Sequence, residues 1–251
     1  MKQLSLFFVG ALGTALLQMS ASPARAQAET PTAESLLQQM VAAYSSARSY
    51  SGTTFVRYLN ADGSERFHVA FKIWFLRPSS IRLDAESKKE GALPRREVLW
   101  SDGATIRTWS TGKPVVAQSK IKIAGSGMFG TYAYHVPTML EESYAGTRRL
   151  HELSAPMLAG DEIVEGVDCY HIRGGWEGDE YEVWLGKEDH LVRKITATYS
   201  DHQLEEIHRE VSLNAEIAPD VFRFAPEDDT TVPKPTATPA PKATATPTRS
   251  R

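Results

Sequence analysis

A single cysteine, Cys169, stands in the whole chain, so no disulfide can form within it and its stability must come from packing. Basic residues are in no excess: 28 Lys and Arg face 31 Asp and Glu, for a net charge of −3. Without a basic stripe the sequence makes a poor nucleic-acid binder, because that affinity rests on neutralising phosphates. Long apolar runs are missing beyond the first 26 residues, which leaves nothing that spans a membrane as a helix. The sequence has no G-x-S-x-G motif, no Cys/His cluster and no pair of histidines at i, i+4 beside a glutamate. No catalytic constellation, metal site or cofactor site is therefore expected.

The N-terminus has the composition of an export signal. Lys2 supplies positive charge, Leu4 to Met19 forms a short apolar stretch, and Ala24-Arg25-Ala26 ends it with small residues at −3 and −1. Cleavage is expected before Gln27, which removes Lys2 and Arg25 and takes the net charge to −5. No cysteine stands at the cleavage site to carry a lipid, so residues 27–251 are expected to be released into the periplasm. At the other end, residues 230–251 are mostly Thr, Pro, Ala and Lys, with no aromatic and no acidic residue. Such a segment cannot bury enough apolar surface to offset its ordering entropy, and it reads as a disordered tail.

Between these lies one domain, residues 27–229. Leu36, Leu37, Met40, Val41 and Tyr44 recur at helical spacing, with Thr30 or Thr32 as cap and Pro31 in the first turn. The period then changes to two. Phe67, Val69, Phe71, Ile73 and Phe75 alternate with His68, Ala70, Lys72 and Trp74. Further strands are expected around Tyr181–Leu185, Leu191–Tyr199 and Glu206–Asn214. Asp62-Gly63, Asp102-Gly103 and Gly186-Lys187-Glu188-Asp189 are turn sequences. A second helix is expected from Pro137 through Tyr144, ended by Gly146. Strands joined by turns, with helices only at the start and middle, predict an α+β domain on an antiparallel sheet.

Several groupings of residues invite a chemical reading. Gly125-Ser126-Gly127-Met128-Phe129-Gly130 matches G-x-G-x-x-G. A phosphate-binding loop needs a strand before it and a helix opening inside it. Lys120 to Ala124 would serve as the strand, but the aromatic run to Pro137 allows no helix to begin there, so a mobile apolar-tipped loop is the better reading. Cys169 and His171, at i, i+2, share one strand face and would make a thiol–imidazole pair; strand alternation explains them equally well. His202 and His208, near Glu205 and Glu206, read as a solvated sheet edge. The positive feature is aromatic: Trp74, Phe75, Trp100, Trp109, Met128, Phe129, Tyr132 and Tyr134 exceed what a modest core needs. A cavity lined by some of them would suit an apolar ligand.

These residues fall in an order that resembles the LolA family of periplasmic lipoprotein carriers. Ile73-Trp74-Phe75-Leu76-Arg77-Pro78, Ile81-Arg82, and Val98-Leu99-Trp100-Ser101-Asp102-Gly103 with Trp109 carry the likeness. The opening Glu34-Ser35-Leu36-Leu37, then Pro137-Thr138-Met139-Leu140, and the closing Val221-Phe222-Arg223-Phe224-Ala225-Pro226 follow in family order. The stretch 164–195 is more similar to outer-membrane lipoprotein-sorting relatives. The likeness covers nearly all of 30–228. It implies an incomplete antiparallel β-barrel, a strongly curved sheet, with helices covering the concave face.

The resemblance also implies a carrier that performs no chemistry. Lipid or the acylated end of a lipoprotein would be its cargo, and inner- and outer-membrane lipoprotein-handling proteins its partners. A monomer is expected. Arg77 matches the family arginine that holds the helical lid by hydrogen bonds and gates the cavity. The ligand contacts expected are Trp74, Phe75, Arg77, Trp100, Trp109, Met128 and Phe129. Glu86-Ser87-Lys88-Lys89-Glu90-Gly91, the glycine-rich 125–130 segment and the tail depart from the family pattern. A sensor module of the RseB type on the same fold is the alternative.

Overall fold

Helix α1, Ala33–Ser46, begins where Thr32 accepts a hydrogen bond from the Ser35 N–H through its side-chain oxygen, 3.1 Å away. Of the two threonines expected as cap it is therefore Thr32, and Pro31 precedes the cap instead of entering the first turn. In this computed structural model the described residues are 31–88, 94–126, 135–144 and 149–226. All lie in the unit that starts at Pro31. The export signal (1–26) and the tail (230–251) lie outside the described residues.

Eleven strands follow: β1 Ser49–Asn60, β2 Glu65–Leu76, β3 Ser80–Lys88, β4 Arg95–Asp102, β5 Ile106–Ser110, β6 Val116–Gln118, β7 Ser154–Val164, β8 Val167–Trp176, β9 Asp179–Gly186, β10 Val192–Thr198 and β11 His202–Leu213. They form one sheet in the order β6-β5-β4-β3-β2-β1-β11-β10-β9-β8-β7. Every pairing is antiparallel. Two runs of sequence-adjacent hairpins are thus joined by β1 against β11, the first strand against the last. β6 and β7 are the two ends of the sheet and do not pair with each other, so the barrel is incomplete. The architecture is α+β, as expected.

The turn sequences do what their chemistry suggests. Gly63 and Gly103 take φ of 82° and 94°, left-handed backbone that glycine adopts at little cost, between β1 and β2 and between β4 and β5. The Gly186–Asp189 turn joins β9 to β10, and Asp189 closes it by accepting from the Leu191 N–H at 3.0 Å.

Alternation sorts the side chains. Val69, Phe71, Ile73 and Phe75 of β2, Ile81, Leu83 and Ala85 of β3, Leu99 of β4, and Tyr181, Val183 and Leu185 of β9 point to one face. Leu36, Leu37, Met40 and Tyr44 of α1 pack onto it in the same cluster. The face is further covered by α2, Ile121–Ala124, and α3, His135–Leu140, which contributes Val136 and Leu140.

These two short helices differ from expectation. Lys120 to Ala124 is no strand: the Gly125 N–H bonds the Ile121 carbonyl at 2.8 Å and closes one helical turn. α3 begins at His135 despite the proline two residues on. Pro137 occupies the first turn, where the N–H it lacks would have no partner inside the helix. The helix stops at Leu140, short of the expected Tyr144, and Gly146 lies outside the described residues.

Candidate functional site

Phe75 and Arg77, two residues apart at the end of β2, begin the site. Phe75 points into the covered face and is fully buried. The Arg77 guanidinium lies 5.2 Å above its ring. Arg77 Nε donates to the Ala47 carbonyl at 2.8 Å, and its terminal nitrogen donates to the Ser45 carbonyl at 2.6 Å. Both acceptors belong to the C-terminal end of α1, where the last carbonyls have no partner within the helix. Arg77 therefore ties the helix end to the strand end.

Beside Phe75 opens a cavity of about 730 Å³ between the ends of β2 to β5, α2 and the segment after α3. Its apolar wall is Phe75, Ile81, Ala104, Ile106 and Ile121, and its polar rim holds Lys120, Lys122, Glu141, Glu142 and Arg149. Tyr144 also lines it; the residue is buried, and its hydroxyl has no protein hydrogen-bond partner. Burial pushes the Tyr144 phenol far above its usual range, so it stays a donor. A second cavity of about 360 Å³ lies between α1, α3 and the 3-10 turn Leu150–Glu152. It is bounded by Val41, Ser45, Arg77, His135, Met139, Leu140 and His151, and it shares Glu141, Glu142 and Arg149 with the first.

Of the seven expected ligand contacts, Phe75 lines the larger cavity and Arg77 the smaller. Met128 and Phe129 lie outside the described residues, as do Tyr132 and Tyr134. The three tryptophans fall elsewhere, because neighbours on a strand point to opposite faces. Trp74 pairs with Arg82 and Arg82 with Trp100 across β2, β3 and β4 on the face away from α1. There Trp100 and Trp109 pack against Phe224, with ring centroids 5.1 and 5.4 Å apart. Arg82 and Arg96 bind Asp84 at 2.8 and 2.6 Å, and Arg82 also donates to the Val221 carbonyl at 3.1 Å. Burial opposes the Asp84 charge, but the two guanidiniums outweigh it and hold the carboxyl below the usual carboxylate range. This patch fastens the chain's closing segment to the back of the sheet.

His208, expected with His202 on a solvated sheet edge, lies instead in the interior. β11 is paired on both sides, by β1 and β10, so alternate residues enter the covered face. Glu206 and His208 are each only 2% exposed. His135 of α3 reaches Glu206 at 2.7 Å, and His208 lies 3.4 Å from the other carboxylate oxygen. His208 Nδ1 is 3.1 Å from the Thr54 hydroxyl. Burial raises the Glu206 pKa, yet the two imidazoles overcome this and lower it to about 2. The signal available in the sequence was the spacing: Leu204, Glu206 and His208 share one face at period two.

Cys169 and His171 do share a face of β8, but each has its own neighbour. The Cys169 thiol donates to the Val167 carbonyl at 3.3 Å, and burial pushes its pKa up, away from the thiolate a nucleophile needs. His171 stacks on Trp184, centroids 4.3 Å apart. No group of three metal-ligating side chains occurs among the described residues.

What the fold and site define is a class: an unclosed antiparallel barrel whose covered face holds an apolar cavity. Residues 132–233 match the model of a family described as predicted periplasmic protein (DUF2092). That description agrees with the periplasmic location read from the N-terminus. Among solved structures the chain is similar to LprF from Mycobacterium bovis, with 11% identity and a TM-score of 0.45 over 74% of this chain and 94% of that one. It is similar to the MucA/MucB complex of Pseudomonas aeruginosa, with 15% identity and a TM-score of 0.46 over 78% of this chain and 62% of that one. A LolA superfamily protein from Nitrosomonas europaea is similar at 10% identity and a TM-score of 0.35, over 78% of this chain and 99% of that one. No curated protein sequence matches the chain. Among the described residues no helix is long and apolar enough to cross a membrane.

Proposed function

We propose that this protein is a periplasmic carrier that holds lipid, or the acylated end of a lipoprotein, in the larger cavity and moves it through aqueous space. The observation that carries this reading is the cavity itself. A volume of about 730 Å³ with a wall of Phe75, Ile81, Ile106 and Ile121 is within the roughly 300–1,000 Å³ of small-ligand sites. Burying an acyl chain is worth about 0.8 kcal/mol per CH₂, so a chain leaves a membrane only for a seat of this apolar kind. The helices that cover the same face would keep water from that seat, and Arg77 is placed to hold one of them down. Periplasmic location supports the role, since such cargo must cross the space between two membranes.

The test is direct. The chain from Gln27 onward, purified from an envelope extract without detergent, is expected to carry extractable lipid or to brighten an acyl-linked fluorescent probe. A folded, lipid-free protein that leaves the probe dark overturns the reading. A stoichiometric protein partner recovered without lipid would also overturn it, in favour of a sensor module.

A further inference from the structure

The two cavities share part of their lining. Glu141, Glu142 and Arg149 border both, so the apolar wall of the larger one gives way at this seam to the charged smaller one. Around the larger cavity as a whole, cationic side chains outnumber carboxylates. Lys120, Lys122 and Arg149 stand around the larger cavity against Glu141 and Glu142. The Glu141 carboxylate is already engaged by Ser143, whose backbone N–H and hydroxyl both donate to it, at 3.1 and 2.7 Å. Arg149 is exposed, and its ion pair with Glu152 is long, 3.6 Å, which leaves the guanidinium able to turn to another anion.

Two buried polar atoms at these walls lack a protein partner. One is the hydroxyl of Tyr144, a residue that lines the larger cavity and is only 2% exposed. The other is Nδ1 of His151, on the smaller cavity. An orphaned buried polar group is unfavourable, because it has given up water without gaining a partner. A ligand that supplies an acceptor removes that cost, and a purely apolar ligand does not. Arg149 offers a planar fork of donors suited to a carboxylate or phosphate.

We propose that the rim of the larger cavity binds the acidic headgroup of an amphiphile, a phosphate or carboxylate joined to an acyl chain, with Arg149 and the Tyr144 hydroxyl as its donors. The chain would lie along Phe75, Ile81, Ile106 and Ile121. The inference rests on the carrier reading and narrows its cargo from apolar molecules in general to acidic amphiphiles.

The experiment uses the chain from Gln27 onward and three ligands with the same tail: myristate, myristoyl lysophosphatidic acid and monomyristoylglycerol. Each is titrated by displacement of an acyl-linked fluorescent probe. At least one acid is expected to bind about ten-fold more tightly than the neutral glyceride, about 1.4 kcal/mol. Whichever acid gains more identifies the headgroup as phosphate or carboxylate. Arg149→Gln should abolish the difference and leave the glyceride unchanged, Arg149→Lys should keep part of it, and Tyr144→Phe should reduce it several-fold. Equal binding of all three ligands overturns the headgroup site while the carrier reading stands, as does an Arg149→Gln variant that weakens all three alike. A protein that leaves the probe dark and binds none of the three ligands overturns both.

Discussion

Glu206 is a carboxylate carried into the interior of the covered face, only 2% exposed. A carboxylate buried this deeply survives only with compensating charge. His135 at 2.7 Å and His208 at 3.4 Å are its partners, from two different elements. Because its pKa is lowered from 4.5 to about 2, Glu206 adds stability that is fully present above pH 4.5 and is lost as pH falls toward 2. A shift of this size corresponds to a few kcal/mol, at about 1.4 kcal/mol per pH unit. The prediction is that Glu206→Gln flattens the acid limb of stability measured by urea midpoints between pH 5 and 2. Parallel acid limbs in variant and parent would show that the carboxylate does not titrate with folding. Asp84 and Glu205, also held below their usual range by paired bases, contribute to the limb in both proteins and cancel in the comparison.

At the scale of elements, the covered face is assembled from pieces that cannot hold themselves there. α2 and α3 span only 121–124 and 135–140, too short to be stable alone. α3 is fixed by Val136 and Leu140 in the core and by the His135 contact with β11. α1 is longer and presents a continuous apolar face, but the carbonyls at its C-terminal end need partners. Arg77 supplies two of them, at 2.8 and 2.6 Å. Hydrogen bonds from a charged donor are worth about 1.5–3 kcal/mol. Arg77→Leu is therefore expected to lower stability by about 1–3 kcal/mol in denaturant titrations. It should also speed release of a bound acyl probe by stopped-flow fluorescence, because the end of α1 is freed. Unchanged release would leave Arg77 a structural tie only. The Arg-Pro step at 77–78 and the apolar periodicity of α1 were both legible in the sequence. Which carbonyls the arginine would meet was not, since residues 45 and 47 come near residue 77 only through β1 pairing with β2.

The described strands make one sheet with two ends. β6 is three residues long, and short edge strands give a partner little to pair with. β7 is eleven residues long and carries exposed Met157 and Ile163. Its pairing with β8 shifts register twice, between Ser154 and Met157 and between Leu158 and Gly160, and such irregularities bend an edge away from flat pairing. The chain from Gln27 onward is accordingly expected to run as a monomer by light scattering at micromolar concentration. A dimer that dissociates on Ile163→Lys would identify β7 as an interface instead.

Read in order, the residues themselves determined the strand and helix periods, the turn glycines and the α+β class, because each depends on neighbours a few positions away. The tertiary structure decided the faces and the company each side chain keeps. It sent Trp74 to the back of the sheet and Phe75 to the front. It drew His208 from an expected solvated edge into the interior beside Glu206, and it brought Tyr144 and Arg149 to the same cavity as Phe75. The physical reason is that alternation along a strand divides its side chains between two faces, but only pairing on both sides and the helices above decide which face is dry. A cavity is the space left between elements, so no local pattern in the sequence encodes it.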